Sequence, residues 1–338
     1  MTSVKDVVVA DPPGEGPGRG RFAFTDDYSV FDWGTMPDQI PGKGASLCAM
    51  GAHTFEALAA AGVPTHYRGV VVDGAVESLD AAAEAPTRMA IDLADVPDLP
   101  ADGDGYDYDA YHGAAGPCHL VPLEIVFRNT VPRGSSLRRR ADPGDVGLDA
   151  DSWPDEAVDL PEPVVEFSTK FEGSDRYLDR QEAAEIAGPA ALDDLAALAR
   201  ETNAVVTDLA AAAGLDHQDG KIECLYDRGE VRVADVAGTL DENRFSYEGT
   251  QVSKETVRQY YRRTQPDWLE AIEAAKETAR ARGVDDWTSL CNVTPDPLPD
   301  PVQDAVADLY AAAADAYVGR DLTGAPDLAS AVETARSI

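Results

Sequence analysis

Hydrophobic and polar residues alternate with period two in parts of this chain, which predicts β-strands there. In HLVPLEIVFRN (119–129), a core-facing row of Leu, Ile and Phe alternates with Glu124, Val126 and Arg128 on the opposite face. A second strand is predicted at VVEFSTKF (164–171). The two strands would carry charged side chains on one face and build a core with the other.

Other segments carry apolar residues every three to four positions and predict helices. The predicted helices run from about Gly44 to Gly62, from about Pro189 to Ala213, from about Ser253, from Pro266 to Arg282, and from about Pro301 to Val318. Strands and helices are mixed without a regular βαβ alternation. This order favours an α+β fold over a doubly wound sheet.

The chain of 338 residues is long enough for roughly two domains. We expect a β-rich N-terminal unit over residues 1–118, containing a Gly/Pro-rich loop at 12–21. Residues 73–117 are acidic and rich in loop-forming residues, so they are interpreted as a surface insertion. A larger unit with the C-terminal helices would cover residues 119–338.

The segment DGKIECLYDRGEVRVADVAGTLDENR (219–244) predicts a β-hairpin that could support metal-nucleotide chemistry. A three-residue turn with Gly229 in the left-handed conformation would place Lys221 opposite Asp235. Glu223 would then be the diagonal neighbour of Asp235 on the same face. A two-residue turn at Arg228-Gly229 would put the two carboxylates on opposite faces and would rule out the metal site. An amphipathic hairpin with one solvated face explains the same alternation without a ligand.

Charge limits the partners that this chain can have. Acidic residues number 62 against 28 basic ones, which gives a formal net charge of −34, and 44% of the residues are hydrophobic. An acidic shell over a globular core suits molar salt, where the Debye length falls to about 3 Å. Nucleic acid and anionic membranes are poor partners for such a surface. No apolar run approaches the ~18–20 residues that span a membrane.

The four cysteines are scattered and show no CxxC spacing, which argues against a zinc site. We expect reduced thiols in a cytoplasmic protein without a secretory segment. The six lysines are informative because they are so few. Four of them fall in segments that carry candidate chemistry: Lys43, Lys170, Lys221 and Lys254.

Three segments could bind phosphate. RNTVPRGSSLRRR (128–140) combines five arginines with a Gly-Ser-Ser turn and contains no acidic residue. Arg19-Gly20-Arg21 could belong to a glycine-rich hairpin that folds over a triphosphate, and Lys43 lies at a loop-to-helix junction. Each has a simpler reading, respectively a surface basic patch, a flexible loop and an exposed lysine.

Two of these segments together resemble SAICAR synthetase, the phosphoribosylaminoimidazole-succinocarboxamide synthase family of purine biosynthesis. PLEIVFRNTVPRGSS (122–136) resembles its first signature, and DGKIEC (219–224) with VADVAGTLDENR (233–244) resembles the second signature and the following segment. The order of TDDYSVFD, PGKG, EFSTKF and KETVRQYY around them also fits. The similarity covers about residues 18–70 and 119–265.

The resemblance implies a two-lobed fold and a ligase that joins L-aspartate to the carboxylate of carboxyaminoimidazole ribonucleotide, using ATP and Mg²⁺. It implies that the ribonucleotide is bound by Arg128, Ser135, Asp241, Arg244, Lys254 and Arg258. It implies Mg²⁺ ligation by Glu223 and Asp235, which with Lys221 form the catalytic group. ATP would be contacted by Arg19, Arg21, Lys43, Lys170 and Lys221. A homo-oligomer is left open.

The chain departs from the family at three places. Arg19-Gly20-Arg21 stands where the family has a Gly-Lys-x-Lys or Gly-Lys-x-Arg loop, so the triphosphate contacts are in doubt. One extra residue lies before Gly134 in the first signature, and another lies between Asp235 and Arg244. Two other functions remain open, namely a related ATP-dependent kinase or ligase acting on another phosphorylated acid, and a nucleotide-binding protein without turnover.

Overall fold

The computed structural model describes residues 4–103, 105–173, 175–284 and 286–338. Its strands are β1 (Lys5–Asp11), β2 (Gly18–Phe24), β3 (Tyr67–Val72), β4 (Ala75–Glu77), β5 (Arg88–Leu93), β6 (Ala101–Asp102), β7 (Gly105–Tyr106), β8 (Cys118–Leu120), β9 (Leu123–Val131), β10 (Val158–Thr169), β11 (Asp216–Asp227), β12 (Glu230–Ala234), β13 (Asn243–Tyr247) and β14 (Thr250–Gln251). Its α-helices are α1 (Lys43–Ala60), α2 (Tyr108–Ala114), α3 (Arg180–Ala187), α4 (Leu192–Ala212), α5 (Lys254–Thr264), α6 (Pro266–Arg282), α7 (Asp300–Val318) and α8 (Leu328–Ala335). No helix in these ranges is long and apolar enough to cross a membrane.

The N-terminal sheet has the strand order β1-β2-β5-β3-β4, and its strand pairs are antiparallel. The glycine-rich loop joins β1 to β2 as a hairpin, as the sequence predicted. The tip of this hairpin lies beside the end of β11, because a Cβ added to Gly16 would lie 3.9 Å from Arg228 Nη1.

The second sheet has the order β10-β9-β11-β13-β14, with β8 and β12 also paired to β11. Its strand pairs are antiparallel, and α4 packs against β9 and β11. The faces of β9 follow the predicted alternation, since Leu123, Ile125 and Phe127 are fully buried in the core. The opposite face, with Glu124 and Arg128, lines a cavity.

The two sheets are joined by backbone hydrogen bonds and a common core. His66 N–H donates to the Val233 carbonyl at 3.0 Å, and Val233 N–H donates to the Pro64 carbonyl at 2.9 Å. One hydrophobic cluster runs from Phe22 in the first sheet to Ala335 in the last helix. The α+β class and the two-lobed arrangement are confirmed, and the lobes share their core.

The helix ends follow the expected signals. α6 begins with Pro266 at its first turn and ends before Gly283, which has φ 61° in the left-handed region. The Ser253 side chain accepts a hydrogen bond from the Glu255 N–H and caps α5. These bounds agree with the sequence prediction for both helices.

The interpretation of residues 73–117 as a surface insertion is wrong for part of that segment. Arg88–Leu93 forms β5, the central strand of the N-terminal sheet, and four of its six residues are buried. The sequence obscured this strand because short acidic loops surround it. Only the later part of the segment, with the β6–β7 ribbon and α2, lies outside the two main sheets.

Candidate active site

A cavity of about 1020 Å³ lies over the second sheet, between α5, the loop before Ser136 and the loop near Phe31. The sequence-predicted residues in its wall are Arg128, Ser135, Lys221, Asp241, Arg244, Lys254 and Arg258. Arg128, Ser135 and Arg244 therefore line one cavity although they are distant in sequence, and their binding of one anion stays a prediction.

Strand register explains why two of these arginines meet. Asp219 on β11 is paired with Arg128 on β9 and with Arg244 on β13. Directly paired residues of antiparallel strands share a face, so the three side chains stand in one row. Asp219 Oδ2 accepts from Arg128 Nη1 at 3.2 Å, and Asp219 Oδ1 accepts from Arg244 Nε at 2.7 Å. The buried Asp219 holds both guanidinium groups at the cavity floor.

The glycine next to Asp219 is required by close packing. A Cβ on Gly220 would lie 1.9 Å from Asn243 Oδ1 and 2.6 Å from the Phe127 ring. No side chain fits there, so glycine allows β9, β11 and β13 to pack at the distance that aligns Arg128 with Arg244.

Arg128 has two further partners that fix its orientation. Its Nε donates to Glu166 Oε2 at 2.7 Å, and its Nη2 donates to Tyr177 Oη at 2.8 Å. The Arg140 guanidinium stacks over the Tyr177 ring at 3.5 Å and also bonds Glu166. The planar guanidinium of Arg128 is fixed by three protein partners, and in this orientation it can bind a phosphate or carboxylate.

The Gly-Ser-Ser turn forms the edge of the cavity as predicted. Ser135 is buried and its Oγ accepts from the Leu137 N–H at 3.3 Å, which begins a short 3₁₀ helix at Ser136–Arg139. Arg138 has a structural role, since its Nη2 donates to the Val131 carbonyl at 3.0 Å. Of the five arginines in this segment, Arg128 is the one that lines the cavity.

α5 contributes a row of cations to the opposite wall. Lys254, Arg258 and Arg262 are four residues apart, so they lie on one face of the helix, and all three line the cavity. Glu255 bonds Arg262 and lies 3.6 Å from Arg258. This wall and the Arg128–Arg244 floor together form a strongly basic pocket in an acidic protein.

Lys221 stands at the other end of the cavity with two carboxylates. Its Nζ lies 2.5 Å from Glu124 Oε1 and 3.5 Å from Glu242 Oε2. Burial lowers the pKa of Lys221, but the negative charges of Glu242 and Glu124 outweigh burial and raise it well above its usual value. Lys221 is therefore a fixed positive charge at neutral pH.

The hairpin geometry differs from the prediction in one decisive respect. Asp227 pairs with Glu230, so the turn has two residues, Arg228 and Gly229, and both have positive φ. This turn was expected to put Glu223 and Asp235 on opposite faces. The ladder ends at Ala234, however, and Asp235 has φ 59° in the left-handed region. Asp235 nevertheless lies near enough to Glu223 for its negative charge to act on the Glu223 carboxyl.

The two carboxylates share one electrostatic environment, as the metal hypothesis requires. Burial and the charge of Asp235 raise the pKa of Glu223 to about 7, against the opposing effect of Lys170. Burial alone would raise the pKa of Asp235, but the ammonium groups of Lys5 and Lys170 outweigh it and lower the value. Lys170 forms an ion pair with Glu223, and Lys5 Nζ lies 2.8 Å from Asp235 Oδ1.

This donor set fits a magnesium ion carried by a nucleotide. In the described part of the chain, no group of three or more His, Cys, Asp or Glu side chains could hold a metal ion. Mg²⁺ in nucleotide sites is commonly held by one or two carboxylates, with water and phosphate oxygens completing the shell. Glu223 and Asp235 could supply that protein share.

Lys5, rather than Arg19 or Arg21, brings positive charge from the N-terminal sheet to this pair. Lys5 is paired with Phe24, and its ammonium lies 5.0 Å from the centre of the Phe22 ring on the same face. Arg19 and Arg21 alternate with Phe22 along β2, so they point to the other face, where both are exposed. This geometry does not support the expected triphosphate role of the two arginines, which stays a prediction. The sequence missed Lys5 because it belongs to no local motif.

Lys43 and Asp241 also differ from expectation. Lys43 has no exposed side-chain surface, and its Nζ donates to Asp241 Oδ2 at 2.8 Å and to the Asp27 carbonyl at 3.2 Å. The other Asp241 oxygen accepts from Tyr310 Oη at 2.9 Å. This burial does not support the ATP contact expected of Lys43, which stays a prediction. Both carboxylate oxygens of Asp241 are bonded to protein, so this residue of the cavity wall joins α1 to α7, and its substrate contact stays a prediction.

Comparison with known proteins agrees with the family resemblance found in the sequence. The sequence profile of the family described as SAICAR synthetase matches residues 13–276. A protein of Archaeoglobus fulgidus assigned as a phosphoribosylaminoimidazole-succinocarboxamide synthase is 41% identical, covering 100% of this chain and 99% of its own length. The SAICAR synthase of Saccharomyces cerevisiae complexed with SAICAR has a TM-score of 0.60 at 20% identity, covering 94% of this chain and 93% of that chain. A SAICAR synthetase in complex with ADP has a TM-score of 0.54 at 22% identity, covering 88% of this chain and 99% of that chain.

Proposed function

Since this chain belongs to the SAICAR synthetase family, we propose that it joins L-aspartate to the carboxylate of carboxyaminoimidazole ribonucleotide, with conversion of ATP to ADP and phosphate. The observation that carries this proposal is a cavity in which two strand arginines face the cations of α5, beside a buried carboxylate pair. Lys221 lies between them, since its charge acts on Glu223 and its ammonium contacts Glu124 in the cavity wall.

The ribonucleotide phosphate is assigned to the basic pocket. Arg128 and Arg244 form its floor, Ser135 its edge, and Lys254 and Arg258 the opposite wall. A dianionic phosphate suits these forks and ammonium groups, and their pre-existing bonds to carboxylates keep them in place before binding. The imidazole carboxylate would then extend toward Lys221.

ATP is assigned to the junction of the two sheets. Glu223 and Asp235 would hold Mg²⁺ on its phosphates, and Lys5 and Lys170 lie beside these carboxylates. When bound, the metal neutralises charge that develops on the transferred phosphoryl group. The open end of the β1–β2 hairpin, where Lys5 contacts Asp235, adjoins these carboxylates and would exclude water from the phosphates.

The reaction proceeds in two steps that need no protein nucleophile. A carboxylate oxygen of the ribonucleotide attacks the γ-phosphorus, the bond to ADP breaks, and an acyl phosphate forms. The aspartate nitrogen then attacks the acyl carbon, and the carbon–oxygen bond breaks with release of phosphate. Lys221 lies where its positive charge would stabilise the acyl oxygens in both steps.

The test is formation of SAICAR from purified protein, the ribonucleotide, aspartate, ATP and Mg²⁺, with ADP release measured with and without aspartate. Mass-spectrometric detection of SAICAR, dependent on all three substrates, would support the proposal. ADP release with a phosphorylated ribonucleotide but no amide would indicate the alternative kinase. Absence of ADP release under any combination would favour a binding protein.

The acidic composition and the free state of the four cysteines support a cytoplasmic location for this enzyme.

A further inference from the structure

Amide formation requires the nitrogen of aspartate to lose protons, and a group in the cavity has to accept one. The ammonium becomes an amide N–H, so two protons leave the nitrogen. One can depart with the phosphate as hydrogen phosphate, and the other goes to a base and then to solvent. Proton transfer by a positioned side chain typically accelerates such a step about 10²–10⁴-fold.

The cavity wall offers few candidates for this base. No histidine is among the described residues that line it. The carboxylates that line it are Asp32, Glu124, Asp175, Asp219, Asp241, Glu242 and Glu255.

Six of these seven carboxylates are already bonded to cations. Asp32 is paired with Lys276, Asp241 with Lys43, and Asp219 with the two arginines of the floor. Glu124 and Glu242 share Lys221, and Glu255 is held by Arg258 and Arg262. Asp175 alone has no hydrogen bond or ion pair within the described ranges.

We propose that Asp175 is a catalytic residue of this enzyme, which accepts the proton from the aspartate nitrogen as the amide forms. This inference rests on the proposed function. The nitrogen lone pair forms the new bond to the acyl carbon, the bond to the phosphate oxygen breaks, and the proton moves from nitrogen to an Asp175 oxygen.

The position of Asp175 suits this role. The charged groups that act on it come from four parts of the chain, namely Glu124 on β9, Lys221 on β11, Lys170 after β10, and Asp32 in the N-terminal loop. Asp175 and Lys221 both line the ribonucleotide cavity, and the charges of Lys221 and Lys170 act on Asp175 and also on Glu223 of the metal-nucleotide cluster. The acyl phosphate would form at that point.

The surroundings of Asp175 also change the pKa of its carboxyl. Asp175 keeps solvent-exposed surface, and its partial desolvation in the cleft, with the negative charge of Glu124, raises its pKa to about 6, although Lys221 and Lys170 oppose the shift. A carboxylate of this basicity is ionised at neutral pH and accepts a proton more readily than an ordinary aspartate does.

The segment that carries Asp175 is anchored from outside the two main sheets. Tyr106 Oη accepts from the Gly173 N–H at 2.8 Å, and Tyr108 Oη donates to Glu172 Oε1 at 2.9 Å. On the other side, Tyr177 is fixed by its bond to Arg128. The β6–β7 ribbon and α2 thus help to fix the position of the segment that carries Asp175.

The test compares two nucleophiles in the Asp175→Asn variant. Hydroxylamine is largely unprotonated at neutral pH, so it needs no base to attack an acyl phosphate, and its product is a hydroxamate. We expect SAICAR formation to fall about 10²-fold or more, with hydroxamate formation and its accompanying ADP release close to the wild-type rate. Asp151→Asn, which removes one negative charge at an exposed site, is the matched control and should change neither product.

The pH profile gives a second readout. Wild-type SAICAR formation should decline as pH falls through about 6, as Asp175 becomes protonated. The residual activity of Asp175→Asn should lack that decline, and Asp175→Glu should restore part of it.

Two results would overturn the inference. Equal loss of SAICAR and hydroxamate would place Asp175 in substrate or metal binding, before the amine attacks. Unchanged SAICAR formation would show that the proton goes elsewhere. A wild-type protein that makes neither product would refute the proposed function itself, and the inference with it.

Discussion

Replacing Glu223 with Gln should abolish magnesium-dependent turnover and yet make the ligand-free protein more stable above neutral pH. Glu223 is buried beside Asp235, and its pKa is raised from 4.5 to about 7. A raised carboxyl pKa means that the folded state favours the protonated form. This contribution to stability is present below the unfolded pKa and is lost as pH rises through the folded pKa.

The magnitude follows from the size of the shift. A change from 4.5 to about 7 corresponds to about 3 kcal/mol between the two protonation states. Glutamine resembles the protonated acid and does not titrate. The variant should therefore match the wild type in free energy of unfolding near pH 5 and exceed it by about 3 kcal/mol near pH 8.

The assay is denaturant unfolding of both proteins across this pH range, without nucleotide and at constant high KCl. Glu270→Gln, at an exposed position on α6, is the control and should follow the wild type at every pH. With Mg²⁺ and ATP the order should reverse, because ligand binding stabilises the wild type and not the variant. A Glu223→Gln protein less stable than wild type at pH 8 would show that the Lys170 ion pair outweighs burial, and would refute the reasoning.

Three further predictions concern other parts of the site. Arg128→Lys should raise the KM for the ribonucleotide about 10–100-fold, because a lysine cannot replace a fork bonded to Glu166, Asp219 and Tyr177. An equal or larger rise in the KM for ATP in steady-state kinetics would mean that the two pockets are exchanged. Asp241→Asn should cost about 3–5 kcal/mol of unfolding free energy, since it leaves the buried Lys43 ammonium without its counterion, and a loss below about 1 kcal/mol in urea titrations would contradict this. Stability and ribonucleotide affinity should both rise from low to molar KCl, because the Debye length falls from about 10 Å to about 3 Å and the net charge of −34 repels itself less. Activity that peaks near 0.1 M KCl and then falls would show that the acidic surface is no adaptation to salt.

Sequence periodicity predicted those parts of the fold that depend on local pattern. The row of Glu124 and Arg128 opposite a hydrophobic row followed from the alternation of strand side chains, and the ends of α6 followed from Pro266 and Gly283. The strand at Arg88–Leu93 was missed because its pairing with β2 and β3 is a long-range property.

In the site, too, sequence pattern predicted the features that are local and missed those that depend on contacts between distant residues. The predicted three-residue turn is wrong, and the proximity of Asp235 to Glu223 occurs at a left-handed residue beyond the strand, which no alternation rule anticipates. Lys5 and Asp175 were missed because single charged residues carry no spacing signal. The roles of Lys43 and Asp241 depended on burial, which a charge count does not reveal.

The carboxylates that hold the cations of this site also affect which anions can enter it. A free arginine or lysine in molar KCl would attract chloride, which a substrate would have to displace. Here Arg128, Arg244, Lys5, Lys170 and Lys221 each have an internal carboxylate partner. A monovalent spherical ion gains little from such a neutralised group, whereas a phosphate with several oxygens can bond several donors together. The site therefore carries its own counterions, which keep an abundant salt from competing with a scarce metabolite.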